Sequence, residues 1–185
     1  MNPFYTGHAG TPILNELMIF SAEYLVYLIP LALIYLWFDS EKGKSESIFI
    51  FVTIVVSLAV SYAMGQFYNH PAPYMTSYET ILSGFPENSF PSQHTTVVFA
   101  FVWPLFYLNR RRVGIIALVL AALVGISRVY VGVHYPIDIV GAVVASLVGF
   151  ALVYVARDAV RKVADYCIRI ENRLLTYVPL DIEQY

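Results

Sequence analysis

Ser127-Arg128-Val129-Tyr130-Val131-Gly132-Val133-His134-Tyr135-Pro136-Ile137-Asp138 places a hydroxyl, a guanidinium, an imidazole and a carboxylate in one short stretch between two long apolar runs. Charge at the end of a hydrophobic helix is costly to leave unpaired, so it has a partner or a task. Arg128 is a fixed cation whose planar fork suits a phosphate. Asp138 follows His134 by four positions. A helix starting near Pro136, whose fixed φ suits a first turn, lets the two face the same way. A carboxylate behind an imidazole sets its tautomer and stabilises the cation formed when it reacts. The stretch reads as an oriented nucleophile or base beside an anion clamp. The competing reading is a membrane-boundary cluster, with arginine at the headgroups and a capped helix start.

The surrounding composition is that of a membrane protein. Hydrophobic residues make up 58% and charged residues 13% of 185, and the mean hydropathy is +0.64. These values lie well outside the soluble range. The length suits one domain, 1–185, with a core over 17–157 and a tail over 158–185. A net charge of −2 with no basic tract interleaved with aromatics argues against nucleic acid. The single cysteine, Cys167, leaves no intrachain disulfide and no cysteine-based zinc site. The amino-terminal residues carry no basic region and do not read as a cleaved signal peptide.

Five apolar segments stand out: Leu17 to Phe38, with a kink at Pro30 and Glu23 inside it, Ile48 to Phe67, Thr95 to Leu108, Val113 to Val129, and Ile137 to Val155. Each approaches the roughly 20 residues that cross a bilayer. The fold class expected is all-α: a polytopic bundle of five transmembrane helices. After Arg157, charges alternate with apolar residues, which predicts a C-terminal amphipathic helix on or near the membrane surface. With five crossings, ten of the eleven lysines and arginines fall on one side. That side is the cytoplasm by the positive-inside rule, and it holds the C-terminus. Arg128 is the exception, so its neighbourhood faces outward.

The loop of residues 68–91 is rich in turn formers and too long for a simple connection. It runs into Pro91-Ser92-Gln93-His94-Thr95-Thr96, where proline and serine mark a helix start whose free N–H groups favour an anion. His94 and Ser127 stand 33 positions apart, with Arg110, Arg111 and Arg112 near the middle. Each half is about 24 Å of helix at 1.5 Å per residue. One helix goes in, turns at the arginines, and the next returns to the same depth. His94, Arg128 and His134 then surround one site. Such a set suits attack on a phosphoryl group. One neutral imidazole attacks phosphorus, and the other, protonated, gives its proton to the leaving oxygen. Asp138 marks His134 as nucleophile and leaves His94 as the acid.

Pro91-Ser92-Gln93-His94 followed by Ser127-Arg128-x5-His134-x3-Asp138 resembles the second and third signature blocks of the type 2 phosphatidic acid phosphatase family, which includes the vanadium haloperoxidases. Within it the chain looks like the bacitracin-resistance-type undecaprenyl-diphosphate phosphatases. The likeness implies a cofactor-free and metal-free phosphohistidine reaction at His134. His94 would protonate the departing group, and Ser92 and Arg128 would bind phosphate, with Ser127 and Gln93 beside them. One block departs. The family's Lys-x6-Arg-Pro corresponds here to Met64-Gly65-Gln66-Phe67-Tyr68-Asn69-His70-Pro71-Ala72-Pro73, and neither cation is present. Gln66, Asn69 and His70 are the polar candidates to replace them, with His70 and Gln66 assigned to the phosphate.

The expected activity is hydrolysis of a polyprenyl diphosphate to the monophosphate and phosphate. A phosphatase for phosphatidate or phosphatidylglycerophosphate is the first alternative. A non-catalytic lipid-binding or transport protein with a degenerate first block is the second. Composition excludes a soluble peroxidase. His8 reads as inert, Glu79 and Glu87 as solvated, and Tyr68, Tyr74, Tyr78, Trp103 and Tyr135 as interfacial belt residues.

Overall fold

A computed structural model of the chain describes residues 11–76, 80–82 and 87–177. His8, Tyr78, Glu79 and residues 178–185, all considered above, lie outside that set. The described residues form helices and turns, with no strand among them: α1 (Pro12–Glu23), a short 3-10 turn (Leu25–Tyr27), α2 (Leu28–Asp39), α3 (Glu41–Phe67), α4 (Gln93–Tyr107), α5 (Arg111–Tyr130), α6 (Pro136–Val155) and α7 (Arg157–Tyr177). A single turn of 3-10 helix, Pro73–Met75, interrupts the loop after α3. Helices α3, α5 and α6 are each long and apolar enough to cross a membrane, and the α1–α2 pair would be a fourth span if it acts as one.

That pair bends by 41°, and the bend is not at Pro30. The proline is the third residue of α2, where its missing N–H is one that no helical carbonyl would have met. The break falls at Tyr24 instead. Ser21 Oγ donates back to the Leu17 carbonyl at 2.8 Å, a contact that bends helices, and the chain tightens into the 3-10 turn immediately after. Ser40 then ends α2 in extended conformation and caps α3, its Oγ accepting from Gly43 N–H at 3.0 Å.

Helix α4 is the hub. Val98, Ala100, Val102 and Leu105 are almost wholly buried between α3, α5 and α6. At 15 residues it is about 22 Å long, shorter than the hydrocarbon layer. Helix α6 meets α3 at Gly149, whose missing side chain lets the backbones approach, while Gly141 leaves room for the Phe90 ring. A Cβ built on Gly149 would lie 2.5 Å from Ser57 Cα, so only glycine fits there. Trp103 Nε1 donates to Ser146 Oγ at 2.9 Å and ties α4 to α6.

The two ends of the bundle differ. At one end Arg110 Nε meets Glu46 Oε2 at 2.6 Å, Lys44 meets Glu171 at 2.9 Å, and Trp37 Nε1 donates to Glu171 Oε1 at 3.2 Å. The first ties the α4–α5 turn to α3, and the two to Glu171 seat α7 against α3 and the end of α2. The other end holds the loop after α3, the start of α4, and the α5–α6 turn. Gly132 makes that turn possible with φ +82°, a left-handed value open to glycine at little cost.

Candidate active site

Four pieces of chain converge at the second end. Helix α4 begins at Ser92, whose N–H donates to the Asp138 carbonyl at 3.2 Å and so fastens the α4 start to that of α6. Helix α5 delivers Arg128 in its last turn. The turn between α5 and α6 delivers His134, whose N–H reaches back to the Arg128 carbonyl. The loop after α3 supplies Asn88 and Ser89. Together they enclose a cleft of about 350 Å³ lined by His94, Arg128, His134, Gln93, Gln66 and Asn88, among others.

Arg128 is the one fixed cation among the described lining residues, and it is 2% exposed. The break in α1 leaves carbonyls of its last turn without helical partners, and Arg128 Nη1 donates to one of them, Ala22 O, at 3.4 Å. A helix C-terminus is the negative end of its dipole, so the guanidinium sits where the backbone favours it. Its Nη2 stands 3.4 Å from His134 Nε2. The other ring nitrogen, Nδ1, faces Asp138 Oδ2 at 3.5 Å. His134 is therefore strung between a cation in the cleft and a carboxylate behind it. Burial is the main influence on its titration and pushes the imidazole below its usual value of 6.5. Arg128 pushes the same way, and Asp138 partly opposes both. A neutral ring at pH 7, with Nε2 toward the cleft, has a lone pair directed at a bound anion.

Asp138 is fully buried. Its Oδ2 accepts from Tyr135 N–H at 2.8 Å, closing the first turn of α6. Its Oδ1 is 2.9 Å from His70 Nδ1. The carboxylate thus serves two imidazoles.

The other residues singled out from sequence are distributed unevenly. His94, Arg128, His134, Gln93 and Gln66 line the cleft. Ser127 is fully buried, its Oγ donating to the Val124 carbonyl at 2.7 Å. Ser92 is fully buried too, its Oγ accepting from Thr95 Oγ1 at 3.0 Å. His70 is not among the cleft's lining residues. Its ring lies against Asp138 and Tyr135, with ring centroids 4.5 Å apart in the second contact. Asn88 is one of the turn formers of the loop after α3. Its Oδ1 accepts from His70 N and Phe90 N, both at 3.0 Å, and its Nδ2 donates to Gly65 O at 2.9 Å. It locks the loop to the end of α3, and a lone asparagine in a polar loop gives no sequence signal of that.

Comparison with known proteins agrees with this architecture. The family model described as the PAP2 superfamily matches residues 46–162. The undecaprenyl-diphosphatase BcrC of Bacillus subtilis is 30% identical over 174 residues, covering 91% of this chain and 90% of that protein. The bacitracin transport permease protein BcrC of Bacillus licheniformis and the putative undecaprenyl-diphosphatase YbjG of Escherichia coli are each 34% identical. The match spans 64% and 66% of the length of those two. Among solved structures, Aquifex aeolicus LpxE superposes with a TM-score of 0.66 at 24% identity, over 80% of this chain and 89% of that one. A Bacillus subtilis PAP2-type phosphatidylglycerolphosphate phosphatase superposes with a TM-score of 0.63, also at 24% identity, over 82% of this chain and 80% of that one. With apolar helices of spanning length, a fold shared with these two structures, and a family match over most of its length, this multi-pass membrane protein belongs to the PAP2 superfamily.

Proposed function

We propose that the protein is a membrane lipid phosphatase that hydrolyses a polyprenyl diphosphate to the monophosphate and inorganic phosphate. The observation that carries the reading is the placement of His134, with Nε2 beside Arg128 in the cleft, Nδ1 toward Asp138, and His94 on the same cleft wall. The terminal phosphate enters against Arg128, with Gln93, Gln66 and the N–H groups at the start of α4 as further donors. Ser92 keeps its own hydroxyl proton for the anion, while Ser127 supports the turn from within. His134 Nε2 forms a bond to phosphorus as the bond from phosphorus to the bridging oxygen breaks. His94 gives its proton to that oxygen, and the polyprenyl monophosphate leaves. Asp138 stabilises the cationic ring of the phosphohistidine. Water, deprotonated by the now neutral His94, attacks phosphorus, and phosphate departs with both histidines restored. No metal or other cofactor takes part.

The membrane arrangement follows from the same reasoning. Five crossings, with α4 as the short central one, put the basic end in the cytoplasm together with α7, an amphipathic helix. The cleft then opens on the extracytoplasmic side. The competing substrate is phosphatidate or phosphatidylglycerophosphate, because the polar groups among the described lining residues suit a phosphate of either lipid.

The test is phosphate release by purified protein in detergent, with EDTA present, comparing undecaprenyl diphosphate, farnesyl diphosphate and phosphatidate. The expected result is release from the diphosphates and none from the His134→Ala variant. Release from phosphatidate alone would transfer the assignment to the glycerolipid. Loss of release on chelation would count against the histidine route, and no release from any lipid would point to a binding protein.

A further inference from the structure

We infer that His70 is a positioning residue, which holds the Asp138 carboxylate and through it sets the orientation of His134. The inference rests on the reading of His134 as nucleophile and gives His70 a different task from the phosphate contact expected from sequence.

The argument begins with Asp138. A fully buried carboxylate is costly unless its oxygens are hydrogen-bonded. Tyr135 N–H pins Oδ2 at 2.8 Å, and His70 takes Oδ1 at 2.9 Å. A carboxylate can only accept, so His70 must carry its proton on Nδ1. The longest of these contacts is the one to His134, at 3.5 Å. It shortens when the ring becomes cationic, as catalytic contacts do once substrate is bound. How far Asp138 can turn toward His134 is then governed by the stronger bond on its other oxygen.

His70 is built to resist that turn. Its N–H donates to Asn88 Oδ1 at 3.0 Å, and its carbonyl accepts from Ser89 N at 2.8 Å and Ser89 Oγ at 2.9 Å. Its ring packs on Tyr135 at 4.5 Å and on Tyr68 at 5.5 Å between centroids. The titratable groups in contact with it are Asp138 on α6, Tyr135 just before α6, and Tyr68 after α3, and His134 meets the other oxygen of Asp138. Arg128 of α5 and His94 of α4 lie beyond, in the cleft, and the side chain of Glu87, in the loop that pairs with Pro71, is exposed.

The experiment compares His70→Phe, which keeps the ring packing and removes the donor, with His70→Asn, which restores a donor. Both are made in the full chain, purified in detergent, and checked for unchanged melting. Phosphate release from a diphosphate gives kcat and KM. Competition by inorganic phosphate reports anion binding. Ethoxycarbonylation of His134, followed against pH by peptide mass spectrometry, reports its titration without needing turnover. His70→Phe is expected to lower kcat by roughly tenfold to a hundredfold, the scale for losing the outer partner of an oriented histidine. KM and phosphate competition stay unchanged, and the His134 titration moves upward as Asp138 turns its full charge on that ring. His70→Asn recovers most of the loss. A raised KM with weakened phosphate competition and intact kcat would overturn the inference in favour of direct phosphate contact. An unmoved His134 titration in a folded His70→Phe protein would also overturn it. If the wild type releases no phosphate, the phosphatase reading fails while the titration still decides the coupling of His70 to His134.

Discussion

Arg128 Nη2 stands 3.4 Å from His134 Nε2, one buried cation against the nitrogen proposed to attack phosphorus. Removing the cation has two separable effects. Arg128→Ala forfeits a charge-assisted phosphate contact worth about 1.5–3 kcal/mol, so kcat/KM falls at least tenfold to a hundredfold. It also removes one of the influences holding the His134 ring neutral, so the acid limb of the pH–rate profile moves to higher pH. Steady-state kinetics from pH 5 to 8 check both. An unmoved acid limb would mean the two groups do not interact.

His134 also predicts how stability depends on pH. Its folded value lies below the ordinary 6.5, chiefly through burial, so the unfolded chain binds the extra proton first. Above pH 6.5 both states are neutral and this group contributes no slope. As pH falls from 6.5 toward the folded value, stability declines. His134→Asn flattens that part of the curve. Melting temperature in detergent between pH 7.5 and 5.5 tests this, and an unchanged slope in the variant would contradict it.

Leaving-group chemistry separates His94 from His134. His94→Ala loses about 10²–10⁴-fold on a polyprenyl diphosphate, the usual worth of a positioned acid. It loses much less on an aryl phosphate, whose phenolate departs without a proton. His134→Ala is inactive on both. Equal losses of His94→Ala on the two substrates would remove it from the acid role.

At the basic end, Arg110 pairs with a Glu46 side chain that is 4% exposed. Arg110→Ala leaves that carboxylate with only Lys42, 3.6 Å away. The cost is about 2–3 kcal/mol, below that of a fully buried pair because Arg110 is partly exposed. The melting temperature falls while KM is unchanged, since the cleft is at the other end. Arg110→Ala with Glu46→Gln recovers part of the loss, which a double-mutant cycle measures.

Packing gives a fifth expectation. Gly149→Ala forces a methyl group onto the backbone of Ser57, at a cost of about 1–3 kcal/mol. Because Ser57 N and Cα are in the way as well as its hydroxyl, Ser57→Gly does not rescue it. Rescue in a thermal melt would show that the helices can separate.

Much of this was legible in the chain. The apolar runs and the Pro-Ser and Tyr-Pro starts mark α4 and α6, because local chemistry decides those boundaries. The meeting of His94, Arg128 and His134 follows from two consecutive helices that turn back at Arg110, although α4 is shorter than α5. The position of the bend was not legible, since a proline near a helix start is harmless and the Ser21 back-bond is visible only in coordinates. The place of His70 against Asp138 was not legible either. Its contact with Asp138 crosses 68 positions and depends on Asn88 and Ser89 holding the loop. The inward turn of the Ser127 hydroxyl depends on the Val124 carbonyl one turn back in its own helix, which spacing does not reveal.

The stop in α1 at Tyr24 has a consequence for how relatives can be recombined. The Ala22 carbonyl that steadies Arg128 lies upstream of residues 46–162, the part that defines the family. A chimera carrying every signature block but a foreign leading helix keeps this contact only where that helix stops at the same place. Exchange of the first forty residues between homologues is therefore an active-site substitution, although it touches no recognised motif.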